Sequence, residues 1–196
     1  MISRDLLQLI RSTFILDWQG IHGLPHWSRV RVNGLQIARN NAADQKVVEL
    51  FAFLHDVKRE ADFNDPEHGP GAAAFIHSLP DTLLNIRPVQ KERLEYACYY
   101  HSRGLTEADI TIQTCWDADR LDLGRGGVRP DTKKLCTDIA KDPEFFEQAY
   151  QRATYWNRKQ SPANKESIVN HKRKQLTDVL ERTYFLRNHH RIWTLH

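Results

Sequence analysis

Ten of the 196 residues are histidines, and several fall beside aspartates at the ends of apolar stretches, where a metal ion could be gripped. His55-Asp56 closes Val47-Val48-Glu49-Leu50-Phe51-Ala52-Phe53-Leu54, the most apolar helical run in the chain. A carboxylate is costly there, because burying a charge without a partner is heavily penalised. A divalent cation offsets the cost: neutral imidazole and carboxylate are both ligands of first-row metals, and the ion keeps the carboxylate ionised within an apolar wall. Two adjacent side chains at a helix end can converge on one ion, whereas in mid-helix they diverge by about 100°. Alone, the dipeptide is no more than a capped or salt-bridged Asp beside a core His. Further residues of the same kind change that. His26, His101 and Asp117, the last inside Trp116-Asp117-Ala118-Asp119-Arg120-Leu121-Asp122, each fall at an element end or on an otherwise apolar helix.

The elements that position these residues are predicted to be helices, since helical spacing recurs along the chain and strand-like alternation is scarce. A first helix over 4–17 carries Leu6, Leu7, Ile10 and Phe14 on one stripe. Pro25 suits the first turn of a second helix reaching Asn41. A third runs from Asp44 to His55-Asp56 and is apolar nearly all round, so it should be central and buried. Small residues around Gly71–Ile76 predict a tightly packed helix ended by Pro80. Another runs from Val89 to His101, with Gly104 as its stop. Thr106 and Asp109 read as an N-cap pair opening a helix through Ile110 to Leu121. Residues 124–130 read as a loop, and helices over 143–156 and 168–186 follow. The expected architecture is a single all-α domain over 1–196, with its core over roughly 20–125 and a C-terminal helical extension over 131–196.

Composition narrows the classes. With 40% apolar and 10% aromatic residues, disorder is excluded as the dominant state. No apolar run approaches the roughly 18 residues needed to cross a bilayer, and a soluble, cytoplasmic protein is expected. Three cysteines without a CxxC pair offer neither a disulfide framework nor a Cys-rich zinc site. Charge is uneven. Residues 151–196 hold ten Lys and Arg against three Asp and Glu, a net +7, while residues 1–150 are at −4. Such a basic segment, with Tyr155, Trp156, Tyr184 and Trp193, is either a solvated helix face or a surface for a phosphate-rich partner.

The ordered set His26, His55-Asp56, Asp117 resembles the HD-domain superfamily of metal-dependent phosphohydrolases, over roughly Ile21 to Asp122. Its flanks, His26-Trp27-Ser28-Arg29-Val30, Phe53-Leu54-His55-Asp56-Val57-Lys58-Arg59, Asp65-Pro66-Glu67-His68-Gly69 and Asp117-Ala118-Asp119-Arg120-Leu121-Asp122, look like a bacterial subgroup of that superfamily. The resemblance implies an HD-domain-like helical bundle in which His26, His55, Asp56 and Asp117 bind a divalent metal. His68 and His101 stand where some members place ligands for a second metal; alternatively they face solvent or substrate from loops. Arg59 takes the position of a phosphate-contacting Lys, with Lys58 as second choice, since a guanidinium can clamp phosphate bidentately; the other reading is surface cations after a helix. Asp119 and Arg120 are expected to orient the ligands, with Asp122 alongside. His22 reads as a surface residue, and Arg125 and Arg129 around Gly126-Gly127 as an anion-friendly loop.

What the resemblance implies chemically is hydrolysis of a phosphate ester of a small molecule, a nucleotide foremost, by metal-bound water held at Asp56. One or two ions per chain are expected, of iron, manganese, zinc, nickel, cobalt or magnesium. No P-loop and no GxSxG elbow is present. The competing reading is a catalytically silent regulatory or nucleic-acid-binding module on the same fold, motivated by the basic C-terminal segment. No membrane partner is expected.

Overall fold

The computed structural model describes residues 2–160, within which the chain is helical and has no strand. The helices are α1 (Arg4–Thr13), α2 (Leu24–Ala38), α3 (Gln45–Leu54), α4 (His68–Ser78), α5 (Asp81–Leu84), α6 (Pro88–Tyr100), α7 (Ile110–Arg120), α8 (Asp138–Lys141) and α9 (Pro143–Gln160). Among the described residues no helix is long and apolar enough to cross a membrane. The chain divides into two units, Met1–Tyr155 and Trp156–His196. The site residues belong to the first. The helix predicted over 168–186, which contains Tyr184, and Trp193 after it lie outside the described residues.

Local chemistry sets the helix starts. Ser3 accepts from Leu6 N at 3.1 Å to open α1, Pro25 sits in the first turn of α2, and Asp44 caps α3 by accepting from Lys46 N at 3.0 Å. The start of α7 differs from the sequence expectation. Asp109, not Thr106, is the cap, accepting from Thr111 N at 2.9 Å, while the Thr106 carbonyl is taken by Gln113 Nε2 at 3.0 Å.

Helix α3 is the centre, with Val47 through Leu54 all buried, and it packs against α2, α6 and α7. The α2 crossing is close enough to require glycine: a Cβ on Gly34 would come within 2.5 Å of Val48 Cγ1 and 3.2 Å of Ala118 Cβ. The small residues of α4 do the same work against α6, where a Cβ on Gly69 would meet the Cys98 and Tyr99 carbonyls at 2.9 Å. Residues 131–155 are not an appendage. Leu135, Ala140, Phe146 and Ala149 close a second apolar cluster over Ile37 and Leu121, and Arg152 donates to Asn33 Oδ1 at 3.0 Å. The start of α2, the start of α4 and the ends of α3, α6 and α7 meet at one end of this bundle, and they bring the site residues with them.

Candidate metal centre

Five buried histidines converge at that end, and the tautomers of four of them, His26, His55, His68 and His101, follow from their partners. A group that can only accept fixes the proton on the ring nitrogen facing it. His26 Nδ1 faces Asp122 Oδ2 at 2.7 Å, His55 Nδ1 the Phe51 carbonyl at 3.1 Å, and His101 Nδ1 the Cys98 carbonyl at 2.6 Å. His68 Nδ1 faces the Asp65 carbonyl. In each ring Nδ1 therefore donates, and Nε2 is left with its lone pair directed into the site.

Those Nε2 atoms meet in pairs. His26 and His55 bring theirs to 3.0 Å, and His68 and His101 to 2.8 Å. Asp56 stands between the pairs. Its Oδ2 lies 3.7 Å from His26 Nε2 and 3.6 Å from His55 Nε2, while its Oδ1 lies 3.5 Å from His68 Nε2 and 3.7 Å from His101 Nε2. Asp119 completes the first pair, its Oδ1 being 3.4 Å from His26 Nε2 and 3.8 Å from His55 Nε2. His26, His55 and Asp56 form one group with metal-holding geometry, and Asp56, His68 and His101 form another. Two lone pairs 3.0 Å apart repel unless a cation lies between them, so this donor set suits a divalent ion of the nitrogen- and oxygen-binding kind.

Protonation agrees with that reading of the first pair. Burial, and then the charge of Arg125, hold His26 well below its ordinary value, and burial takes His55 down to about 4. Both are neutral at pH 7 and neither supplies a proton for the 3.0 Å gap. Burial also lowers His68, aided by the charge of His101. His101 differs. Burial pushes it down, but the nearby carboxylates of Asp56 and Asp119 carry it above its ordinary value. Burial pushes Asp56 up, yet the imidazoles around it, His55 foremost, hold it well below the usual carboxylate range.

Of the residues read from the sequence, His26, His55 and Asp56 meet as expected, and His68 and His101 join them from helix ends, not from open loops. Asp117 does not join them. Its carboxylate accepts from Cys136 N at 2.7 Å, Thr137 N at 2.7 Å and Thr137 Oγ1 at 2.8 Å, so it ties α7 to the following segment. Two residues on, about 200° around the helix, Asp119 is the carboxylate of α7 that faces His26 and His55. Asp122 holds His26 and is itself held by Arg29, whose Nε and Nη2 donate at 2.6 and 2.9 Å. His22 is buried, not superficial, with Nδ1 3.0 Å from Asp56 Oδ2 and Nε2 3.0 Å from the Asp62 carbonyl.

The cations divide. Arg59 lines a cavity of about 340 Å³ over the histidines, together with Arg125 and Lys134. Lys58 is exposed, lies outside the cavity and packs beside Gly71. Arg120 touches the cavity, but its guanidinium is spent on the Lys134 and Leu105 carbonyls, both at 2.6 Å, so it braces loops and orients no ligand. Arg129 turns away to pair with Glu147 at 2.9 Å, so the expected anion loop reduces to Arg125. Comparison of the chain with protein families, with curated proteins and with solved structures returns no match to any of them.

Proposed function

We propose that the chain is a metal-dependent phosphohydrolase of the HD-domain kind, cleaving a phosphate ester of a small molecule, with nucleotides the first class to test. The observation that supports it is the unprotonated His26 and His55 Nε2 pair at 3.0 Å, flanked by oxygens of Asp56 and Asp119. A divalent ion held there supplies a Lewis acid for a phosphoryl oxygen and lowers the pKa of water toward about 7.

The side chains divide the remaining work. Asp56 directs one oxygen to each histidine pair and so sets the spacing of two subsites. Asp119 adds negative charge to the first subsite at the cavity wall. Arg59, lining the cavity with Nη1 3.8 Å from Asp56 Oδ1, is placed to neutralise the phosphate. His22 ties Asp56 to the segment after Arg59 through the Asp62 carbonyl, holding the carboxylate in register. The cavity is at the small end of the roughly 300–1,000 Å³ usual for ligand pockets, which suits a compact phosphorylated substrate.

The test is elemental analysis of the purified chain, with a panel of nucleoside mono-, di- and triphosphates and dinucleoside polyphosphates assayed with iron, manganese, zinc, nickel, cobalt or magnesium. Bound metal and hydrolysis of at least one phosphate are expected, and His55→Ala or Asp56→Ala should abolish both. Paired His68→Ala and His101→Ala changes should lower the metal count from two to one at pH 8. An Asp56→Ala protein with undiminished activity would refute the assignment.

A further inference from the structure

Three guanidinium groups line the cavity; Arg120 is spent on two carbonyls, while Arg59 and Arg125 each keep an unspent donor. Arg59 is 9% exposed; its Nη2 reaches only the Phe63 carbonyl, at 3.4 Å, and its buried Nε has no partner. Arg125 is 8% exposed; its Nε donates to the Ile21 carbonyl at 2.8 Å and its Nη1 to the Asp122 carbonyl at 3.2 Å, while Nη2 has no partner among the described residues. The two serve different subsites. Arg59 Nη1 lies 3.8 Å from Asp56 Oδ1, the oxygen facing His68 and His101, whereas Arg125 Nη1 lies 4.0 Å from Asp119 Oδ1, the oxygen facing His26 and His55.

A lone phosphate needs one such clamp. A guanidinium holds an anion through charge-assisted hydrogen bonds, so a ligand that reaches both arginines gains over one that reaches a single arginine. We infer that the substrate carries a second anionic group adjacent to the reacting phosphoryl group, and that Arg125 is the specificity residue that binds it. Compounds with a diphosphate linkage are thereby favoured over simple monoesters. Lys134, exposed at the same cavity and with no partner for its ammonium among the described residues, extends the positive wall outward. The inference rests on the phosphohydrolase reading of this cavity.

The experiment is calorimetric titration of the metal-loaded protein with inorganic phosphate and with methylenediphosphonate, whose P–C–P bridge resists hydrolysis. The diphosphonate should bind at least about tenfold more tightly, the equivalent of one charge-assisted hydrogen bond. Arg125→Gln should remove most of that ratio by weakening the diphosphonate alone. Should the glutamine variant not fold, Arg125→Lys carries the same test, with a loss of at least about threefold in the ratio expected because a point charge cannot replace the fork. Equal binding of the two probes by the unaltered protein overturns the inference, as does a preference that survives the Arg125 change, since that preference belongs to the metal. Metal content measured on the same samples separates the failures: no metal uptake overturns the phosphohydrolase reading and this inference with it, whereas full uptake with no Arg125-dependent preference overturns this inference alone.

Discussion

Replacing Asp117 and Asp119 one at a time, two residues apart on one helix, should give opposite phenotypes. Asp117 accepts three hydrogen bonds, from Cys136 N and Thr137 N at 2.7 Å and from Thr137 Oγ1 at 2.8 Å. Hydrogen bonds to a charged group contribute about 1.5–3 kcal/mol each, and removing the acceptor leaves two backbone donors unpaired. The three share one carboxylate and are not additive, so Asp117→Ala should cost about 3–5 kcal/mol, or about 10 °C in Tm for a unit of this size. Its metal content should be unchanged. Asp119 makes no such network, and its Oδ1 faces His26 and His55 at 3.4 and 3.8 Å. Losing a residue that merely orients a metal ligand costs 10–100-fold in affinity, so losing an oxygen that faces the ion should cost about 100-fold or more. Asp119→Ala should melt, in EDTA, within about 2 °C of the unaltered protein, and should lose the rise in Tm that added metal gives, about 2.7 kcal/mol at one hundred times Kd. Metal titration against a competing chelator and thermal melts with and without metal read both quantities. An Asp119→Ala protein that keeps its metal while Asp117→Ala loses it would refute the assignment of Asp119.

Asp122→Asn should lower metal affinity about 10–100-fold, since an amide can present its NH₂ to His26 Nδ1 and move the ring proton to Nε2; an unchanged affinity would show that Asp122 does not set the tautomer. Gly34→Ala should destabilise by about 1–3 kcal/mol through overpacking, because its Cβ would lie 2.5 Å from Val48 Cγ1; denaturant melts measure this, and a neutral result would mean that the α2–α3 crossing relaxes freely. The metal-free protein should lose stability as pH falls from 6.5 toward 4. Burial holds His55 at about 4 in the fold against 6.5 unfolded, so across that window the unfolded chain binds more protons, and stability present above pH 6.5 is lost by about 3 kcal/mol for this residue alone. His26 and His68 are lowered and act in the same direction, while His101 is raised and opposes them. A Tm in EDTA that stays flat between pH 7 and 5 would contradict the neutral, buried state of these rings.

The helices were legible because their signals are local: Asp44, Pro25 and Pro80 each act within one turn of their own position, and the apolar circumference of Val47–Leu54 announced a central helix. The choice between Asp117 and Asp119 was not legible for a related reason. Helix α7 is buried nearly all round, with Thr111, Ile112, Thr114, Cys115, Trp116 and Ala118 inside, so no apolar stripe indicates which carboxylate faces the histidines. The burial of His22 is not legible in the sequence, because Gly20 and Gly23 mark a turn and turns are usually at the surface. Here Gly23 N donates to the Gly20 carbonyl at 3.2 Å and Arg125 grips the Ile21 carbonyl at 2.8 Å, drawing the turn inward. A contact spanning more than a hundred residues leaves no mark on local sequence.

The way the rings are held explains why helix ends make this site. Carbonyls in the last turn of a helix can accept from a side chain, either alone or beside a backbone N–H, as the Phe51 carbonyl accepts from His55 N at 3.0 Å. His55 uses the carbonyl four residues before it and His101 the carbonyl three before it, each from the final turn of its own helix, and His68 uses the turn that leads into α4. Their lone-pair directions thus follow from local geometry. His26 lies in the first turn of α2, where the backbone offers N–H groups and no free carbonyl, so its Nδ1 needs an acceptor from elsewhere. Asp122 supplies it across 96 residues of sequence, with Arg29, one turn after His26, fixing the carboxylate from the other side. The first histidine pair is therefore the one whose geometry depends on tertiary packing between α2 and the end of α7, and disturbing that packing should impair metal capture at His26 and His55 before it affects His68 and His101.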